Sequence, residues 1–426
     1  MTNALTEQFP PLTTHEALVE ANRCLYCYDA PCTQACPTHI DIPRFIKKIA
    51  TANMLGSATT ILSSNLLGAT CARVCPVQEL CEGACVLGSE HKPITIGRLQ
   101  RHAMDHAFNH GLNGFLKPGP ATGKRIAVIG AGPAGLSCAG ELARRGHHVT
   151  IFEKRELAGG LSTYGIIVLR EPVEIALAEA DMIRQLGVDI QTGVDIGRDI
   201  TAADLQSQFD AVFLSVGLGA SPSLGIPGED HVLDGLDYIS RSKLDPASLL
   251  PGRSVLVIGA GNTAIDCATV AKRLGSQQVT MIYRRTEREM TAYDHEYSFV
   301  KNEGVSFEFL AQPVRVISEN GVVTGLACVR TRLTPHPEPI EGSAFILPAD
   351  QIIKAIGQNR PSIAVLLGLA TERGLIGVNA DLETSTPGIY AGGDCIRAKG
   401  AASTVMAVQD GKLAATAIHN KVMANG

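Results

Sequence analysis

The sequence contains the same strand, glycine turn and helix pattern twice. The first copy reads RIAVIGAGPAG over residues 125–135, and the second reads SVLVIGAGNTA over residues 254–264. The first glycine makes a tight turn, the second lets a pyrophosphate approach the backbone, and the third small residue lets helix and strand pack closely. The phosphates then lie at the helix N-terminus, where free N–H groups favour negative charge. Two copies predict two dinucleotide-binding domains of the α/β class.

The residue that follows the next strand distinguishes the two nucleotides. In the first copy the strand 148–152 ends at Glu153, where an acid would meet a ribose hydroxyl. In the second copy the strand 279–283 ends in Arg284 and Arg285, which would suit a 2′-phosphate. We therefore predict FAD at the first site and NADP(H) at the second. The alternative for the two arginines is a solvated strand end.

Two short apolar strands end in glycine, at residues 211–217 and 352–357. In flavoproteins with two dinucleotide domains such strands mark crossings between the domains. Near the chain end, a strand that stops at Asp394 precedes a helix over residues 403–412, which resembles the last flavin-binding element of glutathione-reductase-like flavoproteins. The predicted domains are a helical domain (1–121), an FAD-binding domain (122–226 and 356–426) and an inserted NAD(P)H-binding domain (227–355).

Eight of the twelve cysteines lie in two runs before the first glycine turn. The runs read C-x2-C-x4-C-x3-C-P from Cys24 and C-x3-C-P-x4-C-x3-C from Cys71. Cysteines of cytosolic proteins seldom form disulfides, so we expect them to bind metal. Structural zinc usually uses paired C-x2-C knuckles, whereas only one is present here. The C-x3-C-P ending is typical of ferredoxins, and the spacing favours iron–sulfur clusters over zinc.

The other four cysteines (Cys138, Cys267, Cys328 and Cys395) are each alone in the sequence, so we see no dithiol relay. We expect Cys138 and Cys267 to pack as small apolar groups and Cys395 to be structural, although Cys395 could lie near the flavin. A reduced flavin would then pass its electrons to the cysteine-rich segment.

Bulk properties exclude several other classes of protein. The net charge of -5 argues against a nucleic-acid binder. No apolar run reaches the roughly 18 residues of a membrane span, and the N-terminus lacks the pattern of a signal peptide. We therefore expect a cytoplasmic protein with no membrane partner. Helices are predicted from Thr14, within 42–67 and over 96–108, with a linker over 109–124.

The cysteine runs also carry a family resemblance. The segments CLYCYDAPCTQACPTHIDIPRFIKKI and GATCARVCPVQELCEGACVLG resemble the N-terminal part of dihydropyrimidine dehydrogenase, and the glutamate synthase small subunit shares this architecture. Over essentially its whole length the chain is similar to the NAD(P)H-oxidising FAD/Fe–S subunits of bacterial dihydropyrimidine dehydrogenases. The resemblance implies a helical N-terminal Fe–S domain followed by two Rossmann-like domains.

The resemblance also implies two interleaved [4Fe–4S] clusters. The implied ligands of one cluster are Cys24, Cys27, Cys32 and Cys85. Those of the other cluster are Cys36, Cys75, Cys81 and the side-chain amide of Gln100. The family pattern leaves Cys71 unligated, and Cys71 is the first substitute if Gln100 is not a ligand.

Two sets of residues are expected at the nucleotides. The FAD set is Gly130, Gly132, Pro133, Ala134, Gly135, Glu153, Lys154, Gly160, Leu161, Gly393, Asp394 and Thr404. The NAD(P)H set is Gly259, Gly261, Asn262, Thr263, Arg284 and Arg285.

The function implied by the resemblance is that of an electron-input subunit. NAD(P)H would reduce FAD, and the clusters would feed a partner subunit with FMN and iron–sulfur clusters that reduces uracil or thymine. Some subunits of this kind prefer NADH, and no side chain is expected to act as an acid or base. The alternatives are the glutamate synthase small subunit, an NAD(P)H–ferredoxin oxidoreductase and a zinc-stabilised flavin-binding module.

Two loops depart from the family pattern. Residues 165–172 read GIIVLREP, where the family often has Gly-Ile-Pro followed by Arg-Leu-Pro. Residues 289–292 read EMTA in place of EMPA. Both loops are expected to border the nucleotides.

Overall fold

The structure is a computed structural model that describes residues 5–111, 116–334, 336–397 and 402–424. It divides into two compact units, each assembled from three segments of the chain. The smaller unit is Met1–Gln8, Tyr164–Pro172 and Gly219–Asn359, and the larger unit is Phe9–Thr163, Val173–Leu218 and Arg360–Gly426.

Six α-helices occur within residues 9–111 of the larger unit. Thr13 caps the first, because its hydroxyl accepts a hydrogen bond from the Glu16 N–H at 3.2 Å and the Glu16 carboxylate accepts one from the Thr13 N–H at 2.8 Å. The stretch 42–67 forms two helices, because Ala52 has a φ of 57° and Asn53 caps a new helix. The helices are α1 (Thr14–Asn22), α2 (Pro31–Ala35), α3 (Ile42–Ala50), α4 (Met54–Leu62), α5 (Gly68–Val74) and α6 (Ile96–Asn109).

A five-stranded parallel sheet is the other main part of the described larger unit. Its strands are β1 (Arg125–Ile129), β2 (His148–Glu153), β3 (Asp189–Thr192), β4 (Ala211–Leu214) and β16 (Ile389–Ala391). The accompanying elements are α7 (Pro133–Arg144), α8 (Leu161–Tyr164), α9 (Val173–Arg184), α10 (Ala202–Gln208), α14 (Ile363–Leu366), α15 (Thr404–Ala424) and the hairpin of β14 (Thr371–Glu372) and β15 (Leu375–Ile376). In the order β16-β4-β1-β2-β3 all neighbours are parallel, so the carboxyl ends of β1, β2, β4 and β16 share one edge.

The smaller unit contains a second five-stranded parallel sheet within its described residues. Its strands are β5 (Leu233–Asp234), β6 (Ser254–Ile258), β7 (Gln278–Tyr283), β8 (Ser306–Phe309) and β13 (Gln351–Lys354), in the order β5-β13-β6-β7-β8. The helices are α11 (Gly235–Leu244), α12 (Asn262–Arg273) and α13 (Asp294–Asn302). This unit also contains an antiparallel sheet that was not predicted, formed by β9 (Ala311–Glu319), β10 (Val322–Leu333), β11 (Pro337–Pro339) and β12 (Phe345–Pro348).

One hydrophobic core continues from the six helices into the parallel sheet of the larger unit. Phe45 of α3 and Val128 of β1 are both fully buried in it. The packing is tight at Gly140 of α7, where an added Cβ would lie 2.6 Å from a methyl group of Leu66 and 2.7 Å from one of Ile183. The helical segment and the sheet therefore pack as one body.

The predicted linker at 109–124 begins where α6 ends, and its residues 112–115 lie outside the described residues. None of the described helices has both the length and the apolar character needed to cross a bilayer.

A pair of histidines ties the residue before β2 to α15. His147 Nε2 lies 2.8 Å from His419 Nδ1, and Thr122 Oγ1 lies 2.8 Å from His147 Nδ1. One ring must donate and the other accept, so the contact requires at least one neutral ring. Burial, and then the neighbouring His419, lower the pKa of His147.

Acidification is expected to weaken this contact. The pKa of His147 in the folded state lies below its ordinary value of 6.5. The stabilisation from the His147–His419 contact is therefore fully present above pH 6.5, and it is lost as the pH falls through the folded-state pKa. Going from about pH 7 to about pH 5 should cost the wild type roughly 1 kcal/mol more than a His419→Gln variant, since the amide oxygen of Gln can accept a hydrogen bond from a charged ring. Urea midpoints of both proteins measure the difference, and an equal loss in both would contradict it.

Candidate functional site

The first glycine turn joins β1 to α7 and leaves space at its middle residue. Gly130 has a φ of 100°, and an added Cβ there would lie 2.6 Å from the Ser215 carbonyl oxygen. At Gly135 an added Cβ would lie only 2.0 Å from the Gly130 carbonyl oxygen, so close packing requires glycine. At Gly132, the N-cap of α7, an added Cβ would meet no protein atom closer than 3.9 Å. This open position at a helix N-terminus fits a pyrophosphate.

Two other predicted segments lie beside this turn. An added Cβ at Gly160 would be 2.7 Å from the Cα of Gly132, so the paired-glycine loop touches the turn directly. Leu161, the next residue, is 39% exposed. An added Cβ at Gly393 would be 3.2 Å from the Cβ of Ala134, in the first turn of α7 after Pro133. The folded chain thus brings together segments separated by more than 250 residues in sequence.

The predicted ribose acid also faces the turn. Glu153 closes β2, and its carboxylate accepts hydrogen bonds from the N–H groups of Ala131 at 2.8 Å and Arg155 at 2.9 Å. The neighbouring Lys154 is exposed. The carboxylate is therefore fixed at the carboxyl edge of the sheet, where a dinucleotide lies in this type of fold.

Asp394 lies in the turn after β16 and is half-buried. Burial, and then the nearby Asp410, raise the pKa of Asp394. Asp410 belongs to α15 and accepts hydrogen bonds from the Gly393 N–H at 2.9 Å and from Arg397 Nε at 2.9 Å. These bonds fix the turn that carries Asp394 against α15, whose first residue is Thr404.

The second glycine turn joins β6 to α12 in the smaller unit. Gly259 has a φ of 139°, and an added Cβ there would lie 2.2 Å from the Ala355 carbonyl oxygen. Gly261 is the N-cap of α12, so Asn262 and Thr263 form its first turn. All three of these predicted contact residues are only partly buried. The turn therefore presents the helix N-terminus that a second pyrophosphate needs.

The loop that departs from the family pattern at 289–292 packs on this second turn. Thr291 donates its N–H to the Ala260 carbonyl oxygen at 3.2 Å, a hydrogen bond that proline could not make. The nearest atom to an added Cβ at Gly261 is the Thr291 hydroxyl, at 3.3 Å. Thr291 thus replaces the rigidity of a proline with a main-chain hydrogen bond.

Arg284 and Arg285 follow β7 as predicted. Arg284 is exposed and Arg285 is half-buried. Their main-chain oxygens are held, since the Thr331 hydroxyl donates to Arg284 at 2.8 Å and the Leu310 N–H donates to Arg285 at 3.1 Å. Within the described residues neither guanidinium forms an ion pair, so both charges remain available to an anion.

Four cysteines border one largely apolar cavity. They come from both runs and are Cys24, Cys27, Cys32 and Cys85. Isoleucines of two helices and of the loop before α6 supply part of the wall, namely Ile42, Ile46, Ile94 and Ile96. Burial is the main reason why the pKa of Cys32 rises to about 11. The described residues contain no three metal-binding side chains grouped around a single ion, but the four thiols around one cavity fit a larger cluster.

The other four cysteines of the two runs form a second group beside the first. A hydrogen bond with Cys71, together with burial, raises the pKa of Cys75 well above its ordinary value, and Cys81 and Cys36 also act on it. Cys81 in turn interacts electrostatically with Cys32 of the first group. The structure therefore places Cys36, Cys75 and Cys81 of the second implied set near one another, with Cys71 beside Cys75. Which of these residues bind the cluster stays a prediction.

Gln100, the other candidate for the second set, is buried on α6. Its amide nitrogen donates to the Gly68 carbonyl oxygen at 2.7 Å, at the start of α5. Gln100 therefore lies against α5, the helix that contains Cys71 and ends at Cys75.

A residue that sequence reasoning missed holds α5 in place. Glu179 of α9 is buried, and its carboxylate accepts hydrogen bonds from the N–H groups of Ala69 at 2.7 Å and Thr70 at 3.2 Å. An acid at a helix N-terminus satisfies free N–H groups and the helix dipole. The cysteine-bearing helix is thus capped by the part of the unit that contains the parallel sheet.

The loop 165–172 contains a second residue that was missed. Arg170 forms ion pairs of 2.5 Å with both Asp266 of α12 and Glu296 of α13. Burial raises the pKa of Asp266 to about 7 even though Arg170 opposes this shift. Arg170 therefore attaches the loop to the helix that follows the second glycine turn.

The four remaining cysteines are buried in separate elements, which fits the structural interpretation of Cys138, Cys267 and Cys395. They are Cys138 in α7, Cys267 in α12, Cys328 in β10 and Cys395 after β16. The Cys395 thiol donates to the Gly392 carbonyl oxygen at 3.2 Å.

Two family models match the chain. The model described as dihydropyrimidine dehydrogenase domain II, 4Fe-4S cluster, matches residues 1–112. The model described as pyridine nucleotide-disulphide oxidoreductase matches residues 124–411. The first match confirms the iron–sulfur interpretation of the cysteine runs.

Several characterised proteins are similar over most of this chain. The NADP(+)-dependent formate dehydrogenase subunit beta of Moorella thermoacetica is 37% identical over 91% of the chain, which spans only 59% of that protein. The NAD-dependent dihydropyrimidine dehydrogenase subunit PreT of Escherichia coli (strain K12) is 36% identical, with 98% of this chain and 97% of that protein covered. The glutamate synthase [NADPH] small chain of the same organism is 34% identical, with coverages of 97% and 93%.

Among solved structures, the thioredoxin reductase of T. acidophilum shares the fold. The two chains superpose with a TM-score of 0.57 at 23% identity, covering 70% of this chain and 99% of that one. The predicted α/β fold class and the family resemblance are both confirmed. The chain belongs to the pyridine nucleotide-disulphide oxidoreductase family and is an FAD- and iron–sulfur-containing oxidoreductase.

Proposed function

We propose that the chain is the electron-input subunit of a dihydropyrimidine dehydrogenase. NAD(P)H gives up a hydride, and its two electrons leave singly through two [4Fe–4S] clusters to a partner subunit that holds FMN and further clusters. There, two electrons and two protons reduce uracil or thymine to the 5,6-dihydropyrimidine. FAD, when bound, supplies the exchange between two-electron and one-electron transfer. The proposed domains are a helical iron–sulfur domain (1–121), an FAD-binding domain (122–226 and 356–426) and an NAD(P)H-binding domain (227–355).

One observation carries the proposal: the first and second groups of cysteines lie beside each other, and the helices that carry them share a hydrophobic core with the FAD-type fold. The second group includes Cys71 within α5 and Cys75 at its end, and Glu179 caps the start of that helix. The first group opens toward the surface, where Leu25 in its cavity wall is 61% exposed and the nearby Tyr28 is fully exposed. This arrangement supports entry of electrons at the second group and exit at the first.

The chain's own residues bind and orient the nucleotides in this proposal. The N–H groups after Gly132 would hold the FAD pyrophosphate, and Glu153 would hold a ribose. Asn262 and Thr263 would hold NAD(P)H at the second helix N-terminus. Hydride transfer needs no protein acid or base, so positioning is the contribution of these residues.

The two arginines after β7 are expected to select NADPH. In an Arg284→Ala/Arg285→Ala variant, the Kd for NADPH should rise about 10- to 100-fold, which corresponds to the loss of one hydrogen bond to a charged group, at about 1.5–3 kcal/mol. The Kd for NADH should stay within about threefold of the wild-type value, since NADH lacks the 2′-phosphate. Anaerobic flavin reduction by each nucleotide measures both constants.

The matched control is Arg288→Ala, which removes an exposed arginine from the next turn. It should leave both constants unchanged. Equal weakening of NADH and NADPH by the double substitution would instead show that the arginines do not contact the 2′-phosphate.

A second candidate is the small subunit of a glutamate synthase. The 34% identity to the E. coli glutamate synthase small chain, over 93% of that protein, favours it. The internal electron path is the same in both proposals, and only the partner and the final acceptor differ.

The decisive experiment is anaerobic affinity purification of the chain from its native cells, followed by mass identification of what remains bound. We expect a partner with FMN and iron–sulfur clusters, and NAD(P)H-dependent uracil reduction by the complex but not by the chain alone. A large amidotransferase partner would establish the second candidate. Uracil reduction by the isolated chain would overturn the proposal.

A further inference from the structure

A lysine of α15 reaches into the cysteine-rich segment. Lys412 is half-buried, and its Nζ donates to the main-chain oxygens of Ser64 at 3.1 Å and Thr38 at 3.3 Å. α15 is the helix whose Asp410 fixes the turn bearing Asp394. Lys412 is therefore a direct link between the FAD-type fold and the loop that follows Cys36.

The charge of Lys412 has no carboxylate partner within ion-pair distance among the residues that the structure describes. Glu141 is the acid whose charge acts on Lys412, and its two oxygens are already paired with Arg144 at 3.0 Å and Arg145 at 2.9 Å. The next group that acts on it is the thiol of Cys36. A simple structural ion pair thus does not account for this lysine.

Thr38 makes a second polar contact with the same thiol. It is completely buried, and its hydroxyl oxygen lies 3.4 Å from the Cys36 sulfur. A cysteine that ligates iron is a thiolate and can only accept, so the Thr38 hydroxyl would donate. The carbonyl oxygen of the same threonine accepts the hydrogen bond from Lys412.

We propose that Lys412 and Thr38 set the reduction potential of the iron–sulfur centre that Cys36 ligates. Reduction adds negative charge to a centre, and a hydrogen bond to its sulfur or a nearby cation stabilises that charge. Both residues therefore raise the potential of the centre on the FAD side and make it a better first acceptor. This inference rests on the proposed function, since it requires Cys36 to be a ligand.

The test is an anaerobic redox titration followed by electron paramagnetic resonance. In Lys412→Met, the reduced-to-oxidised ratio of one centre at a fixed potential should fall about tenfold, which is 59 mV for a one-electron couple. Thr38→Val should lower the reduced-to-oxidised ratio of the same centre by about threefold, as expected for the loss of one hydrogen bond. Lys412→Arg and Thr38→Ser should keep most of the wild-type potential, because charge and hydroxyl are retained.

Lys421→Met is the control, since Lys421 lies on the same helix but pairs with Glu383. This variant should leave the reduction potentials of both centres unchanged. If Lys412→Met fails to assemble, Thr38→Val alone decides the question. Unchanged potentials in variants with full iron content would overturn the inference and leave the proposed function intact, whereas a wild-type chain that holds no iron would overturn the proposed function itself.

Discussion

Gly132→Ala is expected to weaken FAD binding by about 100-fold without destabilising the protein, a loss of about 2.7 kcal/mol in binding free energy. The backbone at Gly132 has a φ of -75°, which alanine adopts freely, and an added Cβ would meet no protein atom closer than 3.9 Å. The methyl group would instead occupy the space where the pyrophosphate approaches the helix N-terminus.

The matched control is the same substitution three residues later. Gly135→Ala would place its Cβ 2.0 Å from the Gly130 carbonyl oxygen, so β1 and α7 would have to separate. We expect this variant to lose about 3 kcal/mol of stability, the upper part of the range for overpacking.

Urea denaturation of the FAD-free proteins and flavin titration of the folded ones measure the two effects separately. A Gly132→Ala protein that binds FAD normally would show that the pyrophosphate does not lie at this turn. A Gly135→Ala protein with wild-type stability would show that the strand and the helix can relax there.

Cys85→Ser is expected to remove one whole cluster, or roughly four iron atoms per chain. The Cys85 thiol borders the same cavity as Cys24, Cys27 and Cys32, and a serine hydroxyl is a much poorer ligand for iron than a thiolate. Iron and acid-labile sulfide analysis after anaerobic reconstitution measures the loss.

Cys71→Ser is the informative comparison. The family pattern leaves Cys71 unligated and assigns the fourth position to Gln100, so this variant should keep its full iron content. Gln100→Leu, by contrast, should lose iron from the second group. If Cys71→Ser loses the iron and Gln100→Leu keeps it, Cys71 is the ligand, in agreement with its contact to Cys75.

The features that the sequence predicted well are those in which local chemistry determines the geometry. A positive φ at Gly130 and Gly259 and close packing at Gly135 permit almost no other residue, so the glycine pattern indicates the turn directly. The division of eight cysteines into two sets came from the family resemblance, because spacing alone allows many pairings.

The features that the sequence did not predict depend on contacts between distant residues. Glu179 caps a helix more than 100 positions earlier, and Lys412 contacts Thr38 across most of the chain. Nothing local distinguishes these side chains from surface charges. The antiparallel sheet is different, because β10 reads VVTGLACVRTRL, and alternation between buried and exposed residues of this kind is a local strand signal.

The shared hydrophobic core of the larger unit has a consequence for how such proteins are inherited and assembled. The two family models divide the sequence between residues 112 and 124, but the core crosses that division, and Leu66 packs against Gly140 on the other side of it. A gene fragment ending near residue 112 would encode helices whose apolar faces have lost their cover. The cysteine segment is therefore expected to complete its folding only when the sheet that follows it is present to cover those faces.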